Sequence, residues 1–217
     1  MNYVTALGQL ILKNDIVKVY KKDVEHIIKE MADKIHPCPK RNWEKRSYEK
    51  VYKDCSAIVG EFALVKIIVG EDHFSERNPL PFDKRVKDSF CYDVLHHIGK
   101  SKKRIEFKRM RGTWFSMFNR QLKTFRKHAK DLDALVTGYI DEYPDHYTVI
   151  FSLVIDPKTF ENYWTPSKFF NPKQPTHYYS HFNARNDGEC SIINTYTTRT
   201  KEYYDDINFV IEEDSEE

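Results

Sequence analysis

The sequence predicts a mixed α/β domain of the α+β kind, a central mixed sheet flanked by helices, and three observations predict it. Across residues 43–69 the apolar positions Val51, Cys55, Ile58, Phe62, Val65 and Val69 recur at steps of four and three, the stripe of one long amphipathic helix. Across residues 91–109 the β-formers Cys91, Tyr92, Val94, Leu95 and Ile98, then Ile105 and Phe107, lie either side of Gly99-Lys100, a Gly-X pair suited to a type II′ hairpin turn. Residues 134–140 and 147–155 are continuous apolar runs and read as buried central strands.

Taken in order, residues 1–36 read as an N-terminal helical support, with Val24, Ile27, Ile28, Met31 and Ile35 on one helical face. Pro37 and Pro39 break the chain, and Asn42 is placed to cap the next helix. On that helix Glu61 stands at the border of the apolar stripe, where a carboxylate is half buried, and Gly60 beside it permits close approach of a packed neighbour. Residues 70–89 carry Pro79, Pro81 and many charges and read as a loop.

The hairpin turn sets a register. With Gly99 and Lys100 as loop residues, Ile98 faces Ser101, and counting outward brings Asp93 opposite Glu106. Alternation then adds Lys108 to that face and sends Tyr92, Val94, Ile105 and Phe107 to the other. Like charges opposed at ~5 Å repel, and a divalent cation is the natural neutraliser. The alternative is an exposed strand pair whose acids bond a local cation, Lys103 or Lys108. Of His96-His97, only His97 shares the acidic face.

Beyond the hairpin, residues 113–130 are expected to form a helix capped by Thr113. Trp114, Phe118, Leu122, Phe125 and Ala129 fall in one sector, and Arg120, Lys123, Lys127 and Lys130 fall in the opposite one, a cationic face fit for phosphates. A helix followed by a strand implies a crossover back onto the sheet. The final third is rich in Pro and aromatic residues, and residues 190–198 read as one more strand.

Composition bounds the function classes. With 40 % hydrophobic and 14 % aromatic residues among 217, the chain is expected to form one domain over 1–211, with a core over about 43–155 and an aromatic-rich part over 156–211. Residues 212–217 are expected to form an acidic, disordered tail, and their five acids leave the body more basic than the net +2 of the whole. Cys38, Cys55, Cys91 and Cys190 are too scattered for a zinc site or a disulfide framework, no apolar run is long enough to span a membrane, and no secretory leader is visible, so a cytoplasmic protein is expected. No Gly-rich phosphate loop and no G-x-S-x-G elbow occurs.

Asp93, twelve intervening residues and then Glu106-Phe107-Lys108 resembles the signature of the PD-(D/E)xK, or restriction-endonuclease-like, nuclease superfamily. The succession helix, hairpin, helix, strand over about 43–155 is similar to its αβββαβ core, Tyr92 stands where the family pattern has Pro, and Gly60-Glu61-Phe62-Ala63 is similar to its small-E-x-A element. Gln121 with Phe125 faintly resembles the Q-x-x-x-Y element of its exonuclease-like branch, with Phe lacking the hydroxyl. The resemblance implies a Mg²⁺-dependent phosphodiesterase, with Mn²⁺ able to substitute, acting on nucleic acid and above all DNA, as an endonuclease of host, phage or mobile-element origin. It implies Asp93, Glu106, the Phe107 carbonyl and Glu61 as the metal-site set, with Lys108 orienting the attacking water. Arg120, Gln121, Lys123, Lys127 and Lys130 would meet the nucleic acid, and a homodimer is compatible with this. The rival readings are a nucleic-acid-binding or regulatory protein that keeps the fold without turnover, and an interaction protein whose aromatic final third docks a partner.

Overall fold

The computed structural model describes residues 2–36, 47–69, 92–110, 114–118, 125–159, 164–166, 176–180 and 190–192. Helix α1 (Tyr3–Leu12) is capped by Asn2, whose side chain accepts from the Thr5 amide at 2.8 Å, and it buries Val4, Leu7 and Ile11 on one face. Strand β1 (Ile16–Tyr20) follows, and its alternation puts Val17 and Val19 inward while Ile16, Lys18 and Tyr20 are exposed. Helix α2 (Lys21–Ile35) buries Val24, Ile28 and Ala32 at steps of four. The N-terminal 36 residues are therefore not wholly helical, because the short β-branched run 16–20 pairs with a distant strand.

The long helix expected over 43–69 is two helices, α3 (Tyr48–Cys55) and α4 (Ile58–Val69), and residues 43–46 with Asn42 lie outside the described residues. The N-cap is Ser47, whose hydroxyl accepts from the Lys50 amide at 3.3 Å. Two groups hold the break. The Ser56 hydroxyl bonds back to the Lys53 carbonyl at 2.7 Å, and Arg109, from a strand, donates to that carbonyl at 3.3 Å and to Ser56 Oγ at 3.1 Å. Helix α4 is apolar on every side and buried along most of its length. Lys66 on it reaches the Lys18 carbonyl at 3.3 Å.

The main sheet comprises β1, β2 (Val94–Ile98), β3 (Ser101–Arg109), β5 (Ala134–Glu142), β6 (His146–Ile155) and β9 (Cys190–Ile192). Its order is β1-β6-β5-β3-β2, with β9 sharing the β1 side of β6 further along that strand. Every pairing is antiparallel except β3 with β5, so the chain does cross over between those two. A second sheet, β4-β8-β7, is formed by β4 (Trp114–Phe118), β7 (Trp164–Pro166) and β8 (Thr176–Ser180).

The crossover corrects the expected helix over 113–130. Residues 114–118 form β4, paired antiparallel with β8 from Trp114 opposite Ser180 to Phe118 opposite Thr176. Among the described residues of that span, helical structure is confined to 125–128, followed by a 3₁₀ turn at Ala129–Asp131, while 113 and 119–124 lie outside the described residues. A four-residue spacing of aromatics fits a strand face as well as a helix stripe, and pairing with β8 decides for the strand. Strand β9 bears out part of the strand expected over 190–198, and the rest of that span lies outside the described residues.

One face of the main sheet packs against all four helices. Ile105, Phe107, Val136, Ile140, Val149 and Phe151 meet the inward residues of α1 to α4 there, and the packing at Gly60 is so close that a Cβ would overlap the Phe107 ring. Gly138 is equally constrained, since a Cβ there would stand 2.9 Å from the Ile150 carbonyl beside the bulge at Thr137/Gly138. The other face carries a smaller core of Met110, Phe125, Leu132, Leu135, Tyr139, Leu153 and Ile155. Among the described residues no helix is long and apolar enough to cross a membrane.

Candidate active site

The β2–β3 hairpin follows the register set by its turn. Ile98 faces Ser101, Val94 faces Ile105, and Gly99 holds φ +57° while Lys100 does not have a positive φ, the signature of a turn with one left-handed residue. Ile105 and Phe107 enter the helix-side core, so Glu106 and Lys108 point to the opposite face.

At Asp93 the ladder departs from simple counting. Its amide bonds the Ile105 carbonyl at 2.9 Å, and its carboxylate Oδ2 accepts from the Phe107 amide at 2.9 Å, so a side chain takes a donor that a further ladder residue could have used. The alternation fails beyond it. Tyr92, expected beside Val94, packs instead against the smaller core on the acidic face, with the Arg104 guanidinium 5.8 Å from its ring centre. Cys91 lies outside the described residues.

These turns bring Asp93, Glu106 and Lys108 together. Lys108 Nζ donates to Glu106 Oε1 directly, with the Glu106 side chain 12 % exposed and that of Lys108 28 %. Burial first, and the Asp93 charge second, push the Glu106 carboxyl up to about 7 against the pull of Lys108, and a hydrogen bond to Asp93 adds to the rise. Burial works to lower the Lys108 ammonium, but the Glu106 and Asp93 carboxylates outweigh it and leave the group raised. Lys108 therefore stays charged while Glu106 holds its proton up to about pH 7.

Lys103 does not join them. It pairs with Asp133 at 2.8 Å, and Asp133 Oδ2 also accepts from the Arg104 amide at 2.9 Å. His96 turns to the helix side, where its Nδ1 meets the Tyr3 hydroxyl at 2.9 Å, and His97 is exposed. Glu61 is buried, 8 % exposed, on α4, which packs on the sheet face opposite to Glu106. Among the described residues no group of three or more His, Cys, Asp or Glu side chains is arranged to hold a metal, so Glu61 is not gathered with the pair. Lys127 and Lys130 are exposed, while Arg120, Gln121 and Lys123 lie outside the described residues.

Sequence reasoning missed the role of the Phe107 amide, which anchors Asp93; in the sequence Tyr92, Asp93 and Val94 alternate regularly and nothing there signals it. No family model, curated protein or solved structure matches this chain.

Proposed function

We propose that the chain is a divalent-metal-dependent phosphodiesterase acting on nucleic acid, with Asp93, Glu106 and Lys108 as its active site. The observation that carries this reading is a carboxyl pair in a largely desolvated position, sharing a hydrogen bond and held against a lysine that remains charged. The oxygens of Asp93 and Glu106 are hard donors of the kind Mg²⁺ and Mn²⁺ prefer, and a dication relieves the same repulsion that now retains a proton. The Phe107 carbonyl would complete the protein's share. When bound, the metal supplies Lewis acidity towards a phosphate and a more acidic water.

The chain's own residues do the rest. Asp93 is fixed by the Phe107 amide through one carboxylate oxygen, and its side chain also shares a hydrogen bond with Glu106. With Glu106 engaged by a metal, Lys108 would be free to donate to the attacking water or to the charge that develops on the phosphoryl oxygens. Lys127 and Lys130, and the Arg120, Gln121 and Lys123 that precede them, offer phosphate contacts without base readout.

The test is incubation of purified protein with circular and linear, single- and double-stranded DNA and RNA, in Mg²⁺, Mn²⁺, Ca²⁺ or EDTA. The expected result is metal-dependent cleavage that Asp93→Ala and Glu106→Ala abolish and Lys108→Ala lowers by about 10²- to 10⁴-fold. Wild-type cutting by either carboxylate variant would remove the assignment. Metal-independent binding by all four proteins without cutting would instead support the non-catalytic reading.

A further inference from the structure

Remote from the acidic pair, α2 and α3 enclose an open cleft of about 590 Å³. Lys22, His26 and Lys29 line it from one face of α2, at steps of four and three, and Tyr48 and Tyr52 line it from α3. The first three are exposed and make no hydrogen bond or ion pair among the described residues. The remaining lining charges are engaged: Lys21 pairs with Glu142 at 2.8 Å, and Glu25 accepts from the Tyr52 hydroxyl at 3.3 Å. The Tyr52 hydroxyl is neutral and leaves Glu25 its charge, so Lys22 and Lys29 face a ligand with one carboxylate between them, a net single positive charge.

A row of aromatic rings leads out of this cleft. Lys22 Nζ lies 5.7 Å from the centre of the Tyr20 ring, Tyr20 lies 6.4 Å from His146, and His146 stacks on Tyr143 at 4.8 Å with only 7° between the planes. Asp145 holds the His146 ring through Nδ1 at 2.7 Å. Tyr20 and Tyr143 are 44 % and 46 % exposed, so their faces are open to a ligand. Val19 and Tyr147 point into the helix-side core, so by alternation Tyr20 and His146 stand on the sheet face that carries Glu106.

We propose that this row and cleft form a secondary binding site for single-stranded nucleic acid, with phosphates against Lys22 and Lys29 and unpaired bases stacked on Tyr143 and Tyr20, the two rings that His146 holds in place. The ligand class rests on the phosphodiesterase reading. Cations that follow a backbone beside rings that take any base face are what sequence-tolerant single-strand binding requires, and a duplex offers no free base face. Seven helical residues set Lys22 and Lys29 about 10 Å apart along α2, room for roughly three phosphates at the stacked rise of ~3.4 Å. On β5, Leu135 pairs with Glu106 and Glu142 lies at the aromatic end, seven residues or about 23 Å away. A strand must therefore be about seven nucleotides or longer to engage both places.

The test is fluorescence anisotropy in Ca²⁺ with a 20-nucleotide oligo(dT) and a 20-base-pair duplex. A Lys22→Gln, Lys29→Gln double variant is expected to bind the 20-mer about tenfold more weakly and to flatten its log–log salt slope by about 1.4, two single-strand contacts at ~0.7 each. Tyr143→Ala is expected to weaken 20-mer binding at least fivefold with the slope unchanged, and neither variant is expected to alter binding of the duplex. Unchanged 20-mer affinity and slope in both variants, with wild type binding and cutting, would overturn this inference alone. Equal losses on the 20-mer and the duplex would overturn it too, by showing a diffuse charge effect. If wild type neither binds nor cuts any nucleic acid, the phosphodiesterase reading falls and takes this site with it.

Discussion

Consecutive residues of β3 live in opposite worlds. Phe107 presses its ring onto Gly60 in a fully apolar layer, whereas Glu106 and Lys108, one residue to either side, stand on a face where charges are gathered out of water. The helix side is stabilised by removal of apolar surface and tolerates no added volume. The acidic side works against stability, since burial and the Asp93 charge leave Glu106 holding a proton at a pH where an ordinary carboxyl has lost it. One strand thus supplies both a rigid anchor and the tension it holds in place, the division of labour expected where a site is built on a scaffold.

The comparison can be broken first on the anchor side. Phe107→Ala removes the ring that fills the space above Gly60 and is expected to cost about 3–5 kcal/mol in urea denaturation. A loss below ~1 kcal/mol would mean that the helix layer does not depend on this contact. Gly60→Ala acts on the same interface by overpacking, with an expected cost of about 1–3 kcal/mol. Combining it with Phe107→Leu should recover part of that loss, which a double-mutant cycle reads directly.

On the acidic side the sign reverses. The folded-state pKa of Glu106 is raised from 4.5 to about 7, so the stability that its proton contributes is present below pH 4.5 and is lost as pH rises through about 7. Glu106→Gln keeps the shape without the charge. Its melting temperature should match that of wild type near pH 4.5 and exceed it above pH 7, by the equivalent of up to about 3 kcal/mol, since the rise to about 7 already includes the attraction to Lys108. A variant that melts below wild type at pH 8 would mark Glu106 as a satisfied structural acid.

The two sides also differed in how readable they were. Gly99 dictates the turn, and the turn dictates every pair from Ile98 with Ser101 to Val94 with Ile105, so the meeting of Glu106 and Lys108 on one face was legible locally. The apolar runs over 134–140 and 147–155 were legible for a similar reason, since continuous burial leaves a continuous signal. Structure set by distant partners was not. The α3–α4 break depends on Arg109, more than fifty residues away, and Ser56-Ala57 contains neither Gly nor Pro to announce it. The strand at Trp114–Phe118 depends on β8, and β1 depends on β6. Within the candidate site the same limit applies at Asp93, where a carboxylate bond to the Phe107 amide ends the alternation and redirects Tyr92.

The central claim is that Asp93 and Glu106 form one proton-retaining pair which a divalent cation can occupy, and it is tested most directly by counting protons released when Mn²⁺ binds. Calorimetric titrations in buffers of different ionisation enthalpy give that count. With Glu106 titrating at about 7, wild type should release close to one proton per Mn²⁺ near pH 6 and almost none near pH 8.5, and Glu106→Gln should show neither the release nor the binding. Mn²⁺ binding without proton release near pH 6, or no Mn²⁺ binding at either pH, would contradict the claim.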